Sequence, residues 1–255
     1  MDRKIRVGAV NYLNTKPLLY GIERSPIINQ INLEIDYPAR IAERLLLDEI
    51  DVGLVPVAIL PLMKDYYLNT DYCIGCDGAV ASVCLFSDVP IEQIQKVLLD
   101  YQSKTSVQLA RILLKHYWKV APEFAETSQD FLSQISGSTA AVLIGDRALR
   151  QRHISPYIYD LGEAWKRFTG FSFVFAAWVS SRELDEPFAE AFNRANQSGL
   201  ESIPLLLTGL HSDFFDLRQY YTQHISYNLD ENKRKGLELF LNYLKEFSLS
   251  SQLSN

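Results

Sequence analysis

Residues 6–21, RVGAVNYLNTKPLLYG, decide how this chain is read. Val7, Ala9 and Val10 make the end of a short apolar strand, and Pro17 suits the first turn of a helix, where its missing N–H removes no hydrogen bond. The polar turn between them holds Asn11, Tyr12, Asn14 and Thr15. In an open parallel sheet such a strand-to-helix turn lies at the carboxyl edge, where ligands bind and helix N-termini offer N–H groups to anions. Two roles stay open for Asn14 and Thr15: contact with a ligand, or plain capping of the helix.

Working outward, the pattern of strand and helix repeats. IRVGAV (5–10), PLLYGIE (17–23), INLEIDY (31–37), PARIAERLLLDEI (38–50) and DVGLVPV (51–57) alternate as β-α-β-α-β. These strands are too apolar on both faces for a half-exposed antiparallel sheet, so helices should cover both sides of a mostly parallel one. A strand-like run, VASVCLF (80–86), is followed by a second alternating block: KVLLD (96–100), SKTSVQLARILLKHYW (103–118), AAVLIGD (140–146) and YIYDLG (157–162). FSFVFAAWVS (171–180) is a long apolar strand suited to carry the chain back to the first lobe. The amphipathic DENKRKGLELFLNYLKEF (230–247) closes the chain as a helix. The expected fold is therefore α/β and two-lobed, each lobe a mixed, mostly parallel sheet flanked by helices, with a ligand cleft at the hinge. The expected boundaries are 1–87 with 181–255 for a discontinuous first lobe and 88–180 for the second.

Bulk properties narrow the partners. A 255-residue chain with 47% hydrophobic residues and 12% aromatics can bury substantial cores without staples. The net charge is −6 and the basic residues are scattered, so no stripe tracks a phosphate backbone and nucleic acid is not expected. No apolar run has the roughly 18 residues of a membrane span and the first residues lack a signal-peptide core, so a cytoplasmic protein that does not engage membranes is expected. Cys73, Cys76 and Cys84 suit a reducing compartment. Cys73 and Cys76 form a CxxC without the second pair or the histidines a metal site needs, so no metal is expected. A homodimer is compatible with the sequence.

Four further places have donor chemistry. DYQSKTS (100–106) places Ser103, Thr105 and Ser106 at a helix start, either as a carboxylate cradle or as ordinary caps; it lacks the glycines of a polyphosphate loop. Ser82 is a hydroxyl in an apolar strand and needs a partner, backbone or ligand; no nucleophile elbow or framed histidine surrounds it, so it reads as a hydrogen-bond donor. Gly145 and Asp146 end another strand, where Asp146 is either a functional carboxylate or a helix cap. Tyr159, Asp160 and Gly162 make a further polar turn, and Trp165 and Phe168 after it either wall a pocket for a ring or pack the core.

Taken in order, VGAVNYLNTKPLLYG, DVGLVPV, SVCLFS, LDYQSKTSVQLARILL, LIGDRAL, YDLGEAW and TGFSFVFAAW, between residues 7 and 178, resemble the chorismate dehydratase family of the futalosine-dependent menaquinone pathway. The resemblance implies the fold of type 2 periplasmic binding proteins, loss of water from chorismate to give 3-[(1-carboxyvinyl)oxy]benzoate, and no cofactor. It implies that Asn14 and Ser82 are the catalytic residues; the polar turns read above add Asn11, Tyr12, Ser103, Thr105, Ser106, Gly145 and Asp146 as the expected substrate contacts. The chain departs from the family pattern at Ala81, where glycine is expected, and at Cys84. No His, Lys or Glu in these motifs is poised as a base, so the enolpyruvyl carboxylate of the substrate is the expected proton acceptor. The competing expectations are a non-catalytic small-carboxylate receptor of the same fold, the 1,4-dihydroxy-6-naphthoate synthase of the same pathway, whose opening motif differs from YLNTKPL, and a regulator's effector domain, for which a helix-turn-helix is missing.

Overall fold

A computed structural model describes residues 3–128 and 131–252, with 248–252 as backbone only. The chain divides into two compact units. One runs to Gly75 and resumes over Val174–Glu231; the other comprises Cys76–Phe173 and the chain from Asn232 on.

The first unit is built on a six-stranded sheet in the order β11-β4-β10-β3-β1-β2. Its strands are β1 (Ile5–Ala9), β2 (Ile31–Ile35), β3 (Val52–Pro56), β4 (Tyr72–Cys76), β10 (Phe173–Ser180) and β11 (Ser226–Asn228). β1 runs parallel to β2 and β3, as the doubly apolar strands require, while β10 pairs antiparallel with β3. Helices α1 (Lys16–Arg24), α2 (Pro38–Leu46), α6 (Glu186–Glu201), α7 (Ile203–Leu206) and α8 (Leu217–Gln219) complete it. Ile41, Ala42 and Leu45 are buried on α2 at the spacing of one helical face. α1 lies backbone-to-backbone on α6: a Cβ added to Gly21 would sit 2.0 Å from the Ala195 carbonyl, and one on Gly199 2.0 Å from the Pro17 carbonyl. Only glycine permits that approach, and it fixes the start of α1, hence the 11–15 turn. On α6, buried Asn196 accepts the Trp178 Nε1–H at 3.1 Å and donates to the Phe192 carbonyl, so both polar groups are satisfied.

The second unit holds a five-stranded sheet in the order β7-β6-β8-β5-β9. Its strands are β5 (Val83–Ser87), β6 (Lys96–Leu99), β7 (Glu123–Glu126), β8 (Thr139–Ile144) and β9 (Tyr157–Asp160), with helices α3 (Lys104–Ile112), α4 (Gly145–Gln151), α5 (Leu161–Thr169) and α9 (Glu231–Gln252). β6 is parallel to β7 and β8, and β5 is antiparallel to β8 and β9. Cys84, Phe86, Leu98, Phe131, Ala141, Leu143 and Ala148 make one core. A second core is aromatic: Trp165 meets Phe173 edge-on at 5.2 Å and Phe240 at 6.3 Å, and Phe173 meets Phe240 at 5.1 Å.

That aromatic core places the C-terminal helix. The sequence expectation assigned 181–255 to the first lobe, whereas α9 packs in the second unit through Phe240 and through Gly236, which lies against the Ser172 carbonyl. The chain passes between units at 75/76, 173/174 and 231/232 rather than at 87/88 and 180/181. Amphipathic spacing identifies the apolar face of such a helix and leaves open which surface covers it. Among the described residues no helix is long and apolar enough to cross a membrane.

Candidate functional site

In the first unit β1 ends at Ala9 and the expected polar turn follows. Tyr12 is extended, Leu13–Thr15 form a single 3-10 turn, and α1 begins with no side-chain cap. Capping therefore does not explain these residues. Thr15, fully buried, donates its hydroxyl to Asn14 Oδ1 at 3.2 Å, and Tyr227 on β11 donates its phenolic O–H to the Asn14 carbonyl at 2.9 Å. Burial, then the neighbouring Tyr220 and Tyr221, push the Tyr227 phenol well above its ordinary pKa, so it stays a neutral donor. Asn14 is thus fixed by both its side chain and its backbone. Asn11 is exposed and lines a cavity of about 530 Å³ with Lys16, Tyr20 and Leu206.

In the second unit the carboxyl ends of β6 and β8 and the amino end of β5 form one sheet edge. Asp100, at the end of β6, has a fully buried side chain. It accepts the Ile144 N–H at 3.2 Å, the Gln102 N–H at 3.0 Å, and Arg147 Nη2 at 2.8 Å on both oxygens. The Ser82 carbonyl accepts the Gly145 N–H at 2.8 Å, and Val83 pairs with Ile144. These bonds bring Ser82, Ser103–Ser106 and Gly145–Asp146 to the same edge.

Within that edge the individual expectations fare differently. Ser82, Thr105 and Ser106 are buried hydroxyls, 1%, 2% and 3% exposed. Ser103 caps α3, accepting the Ser106 N–H at 3.1 Å, so of its two roles the structure shows the cap and the Ser106 N–H is already committed. Gly145 starts α4 at φ +60, a left-handed conformation that a side chain would strain. Asp146 is exposed in the first turn of α4, and the N-cap there is Ile144, so Asp146 is not the cap. Trp165 is wholly buried among Phe173 and Phe240, a core residue rather than a pocket wall.

Ser82 itself is not inside a strand, as the apolar run suggested, but follows a tight turn. Its N–H donates to the Val80 carbonyl at 2.7 Å around Ala81, whose φ is +61. A three-residue turn with a left-handed alanine at its centre is strained, which accounts for the expectation of glycine at this position. Asp160, which caps α5 through the Gly162 and Glu163 N–H groups at 3.0 and 3.1 Å, also accepts the Val80 N–H at 3.0 Å and the Ala81 N–H at 2.7 Å. The Ala81 carbonyl accepts from Arg152 Nη1 and from the Cys84 thiol, both at 3.3 Å. Burial pushes the Asp160 carboxyl above the usual range against the pull of these N–H groups, and pushes the Cys84 thiol well up, the Asp160 charge adding to it. Cys73, Cys76 and Cys84 are buried thiols outside any disulfide, and among the described residues no cluster of three His, Cys, Asp or Glu could hold a metal ion. Sequence reasoning missed Tyr227 and Arg152 altogether and saw Asp160 only as part of a turn; an Asp closing a strand before a helical pattern was the available signal for its capping role.

A family model described as menaquinone biosynthesis matches residues 5–246. The chain belongs to this menaquinone biosynthesis family. A curated chorismate dehydratase of Thermus thermophilus is 28% identical over 92% of this chain and 93% of its own length. A solved structure of an Archaeoglobus fulgidus protein superposes with a TM-score of 0.73 at 15% identity, covering 96% of this chain and 98% of that one. The periplasmic aliphatic sulphonate binding protein of Escherichia coli superposes at 0.58 with 14% identity over 100% and 95%. At these identities the structures establish the fold alone: this member of the menaquinone biosynthesis family has a periplasmic-binding-protein-like α/β fold, with two mixed sheets flanked by helices.

Proposed function

We propose that the protein is a hydro-lyase that removes water from chorismate to give 3-[(1-carboxyvinyl)oxy]benzoate. The observation that carries this reading is the buried Ser82 hydroxyl, set by a strained turn at the same sheet edge as Thr105 and Ser106 in the first turn of α3. Hydroxyls at a helix start suit carboxylate oxygens, and chorismate has two carboxylates. The relationship to a chorismate dehydratase over almost the whole chain supports the same reading.

The reaction breaks the C3–H and C4–O bonds and releases one water as the ring becomes aromatic. The ring carboxylate acidifies the C3 proton through the conjugated double bonds, so the protein's task is to hold two anions, stabilise the developing enolate and assist departure of the C4 hydroxyl. In this account Ser82, Thr105 and Ser106 hold carboxylate oxygens and Asn14, braced by Thr15 and Tyr227, orients the C4 hydroxyl. Asn11, Tyr12, Gly145 and Asp146 border the substrate, and Ser103 supports Ser106 through the cap. Asp100 is engaged by Arg147 and Asp160 by four N–H groups, while the Cys84 thiol stays protonated. The substrate's own enolpyruvyl carboxylate then takes the C3 proton, and no cofactor is needed.

Ser82→Ala and Asn14→Asp test the assignment. Each should lower kcat/KM for chorismate on the order of 100-fold, the usual loss for an oriented donor; either variant turning over chorismate at the parent rate overturns its role. The likeness to a solute-binding protein favours one other reading, a receptor that holds the dianion unchanged, and that reading expects chorismate recovered intact from every variant.

A further inference from the structure

We propose that Asp160 is a positioning residue for Ser82, its carboxylate holding the strained Val80–Ser82 turn that aims the serine hydroxyl. This rests on the reading of Ser82 as a group that touches substrate.

Capping α5 needs one oxygen, yet Asp160 uses both. Oδ1 serves Val80, Gly162 and Glu163, and Oδ2 serves Ala81 at 2.7 Å, the shortest of the four. Only a carboxylate accepts at both oxygens, with enough lone-pair sites for four donors. From the other side the Ala81 carbonyl is held by the Arg152 guanidinium and the Cys84 thiol, and Arg152 Nη1 also lies 3.4 Å from Cys84 Sγ. Both polar groups of Ala81 are therefore tied down, and this is where a left-handed alanine needs external restraint. The next residue is Ser82. A hydroxyl set by one turn inherits any relaxation of that turn, and a misplacement of about 1 Å can cost on the order of 100-fold in rate.

Asp160→Asn separates the two duties. Asparagine caps helices about as well as aspartate, so α5 keeps its start, but the amide puts an N–H where Ala81 needs an acceptor. Steady-state kinetics on chorismate are compared for the parent, Asp160→Asn, Ser82→Ala and the double variant, with folded fraction checked by circular dichroism. The expected result is a loss in kcat/KM on the order of 10- to 100-fold from Asp160→Asn in the parent, and less than threefold in the Ser82→Ala background. Equal losses in both backgrounds, or parent kinetics for folded Asp160→Asn, overturn the proposal. Where Asp160→Asn does not fold, the same cycle is run with Arg152→Gln, and equal losses there overturn it likewise. Ser82→Ala at the parent rate identifies the other failure, that of Ser82 as a substrate-binding group. Amide exchange of residues 80–82 reads the turn without substrate: protection unchanged in Asp160→Asn also overturns the clamp.

Discussion

Asp51 closes the amino edge of the first sheet, and replacing it with asparagine should cost stability in a pH-dependent way. Its side chain is 5% exposed. Oδ2 accepts the Arg6 N–H at 2.9 Å and Nε at 3.1 Å, while Oδ1 accepts Arg6 Nη2 at 2.9 Å and Arg182 Nη2 at 2.6 Å. Burial alone would raise this carboxyl; the hydrogen bonds and charge of Arg6, with Arg3, overcome it and lower the pKa from 3.8 to about 2. At about 1.4 kcal/mol per pKa unit, that is about 2.5 kcal/mol of stability. The folded-state value is depressed, so the contribution is complete above the unfolded value near 4 and is lost as pH falls through about 2. Urea unfolding followed by the fluorescence of the protein's three tryptophans should show Asp51→Asn less stable by about 2.5 kcal/mol at pH 7 and by about half as much at pH 3. Arg3 and Arg182 are about two-thirds exposed, so salt should screen their share of the effect, while the Arg6 bonds to the buried carboxylate persist. A difference that is constant from pH 7 to pH 3, or below about 0.5 kcal/mol at pH 7, refutes the reasoning.

Three other substitutions follow from backbone geometry. Ala81→Gly relieves a φ of +61, so its cost should be at least about 1 kcal/mol smaller than that of Ala141→Gly, an equally buried alanine in the extended β8, by denaturant midpoint. Gly199→Ala drives a methyl to 2.0 Å from the Pro17 carbonyl and should destabilise by about 2–3 kcal/mol, seen as a lower Tm. Ser103→Ala removes the α3 cap and should cost about 1 kcal/mol in urea unfolding, with less than a threefold effect on KM if the hydroxyl only caps.

Local pattern revealed the strands and the edges at which the polar turns lie. β1, β3, β6 and β8 are mostly apolar runs, and the residues that follow them, Asn14, Ser103 and Gly145, sit where a parallel sheet puts its strand ends. What stayed hidden depends on distance along the chain. The Tyr227 bond to Asn14 spans 213 residues and the Asp160 bond to Val80 spans 80, and no spacing rule announces either. The spacing of α9 shows its amphipathic face but not that it belongs to the second unit rather than the first, because its partners Trp165 and Phe173 are defined only by the folded core. Choices between capping and chemistry also needed coordinates: Ser103 proved to be a cap, whereas α1 starts without one, leaving Asn14 bonded to Thr15 and Tyr227.

The most direct test of the account is to mix the purified protein with chorismate and no additive and to follow the products by mass spectrometry. A new species lighter by one water, with the ultraviolet spectrum of a substituted benzoate and formed much more slowly by Ser82→Ala, is the predicted result. Chorismate bound and recovered unchanged contradicts it.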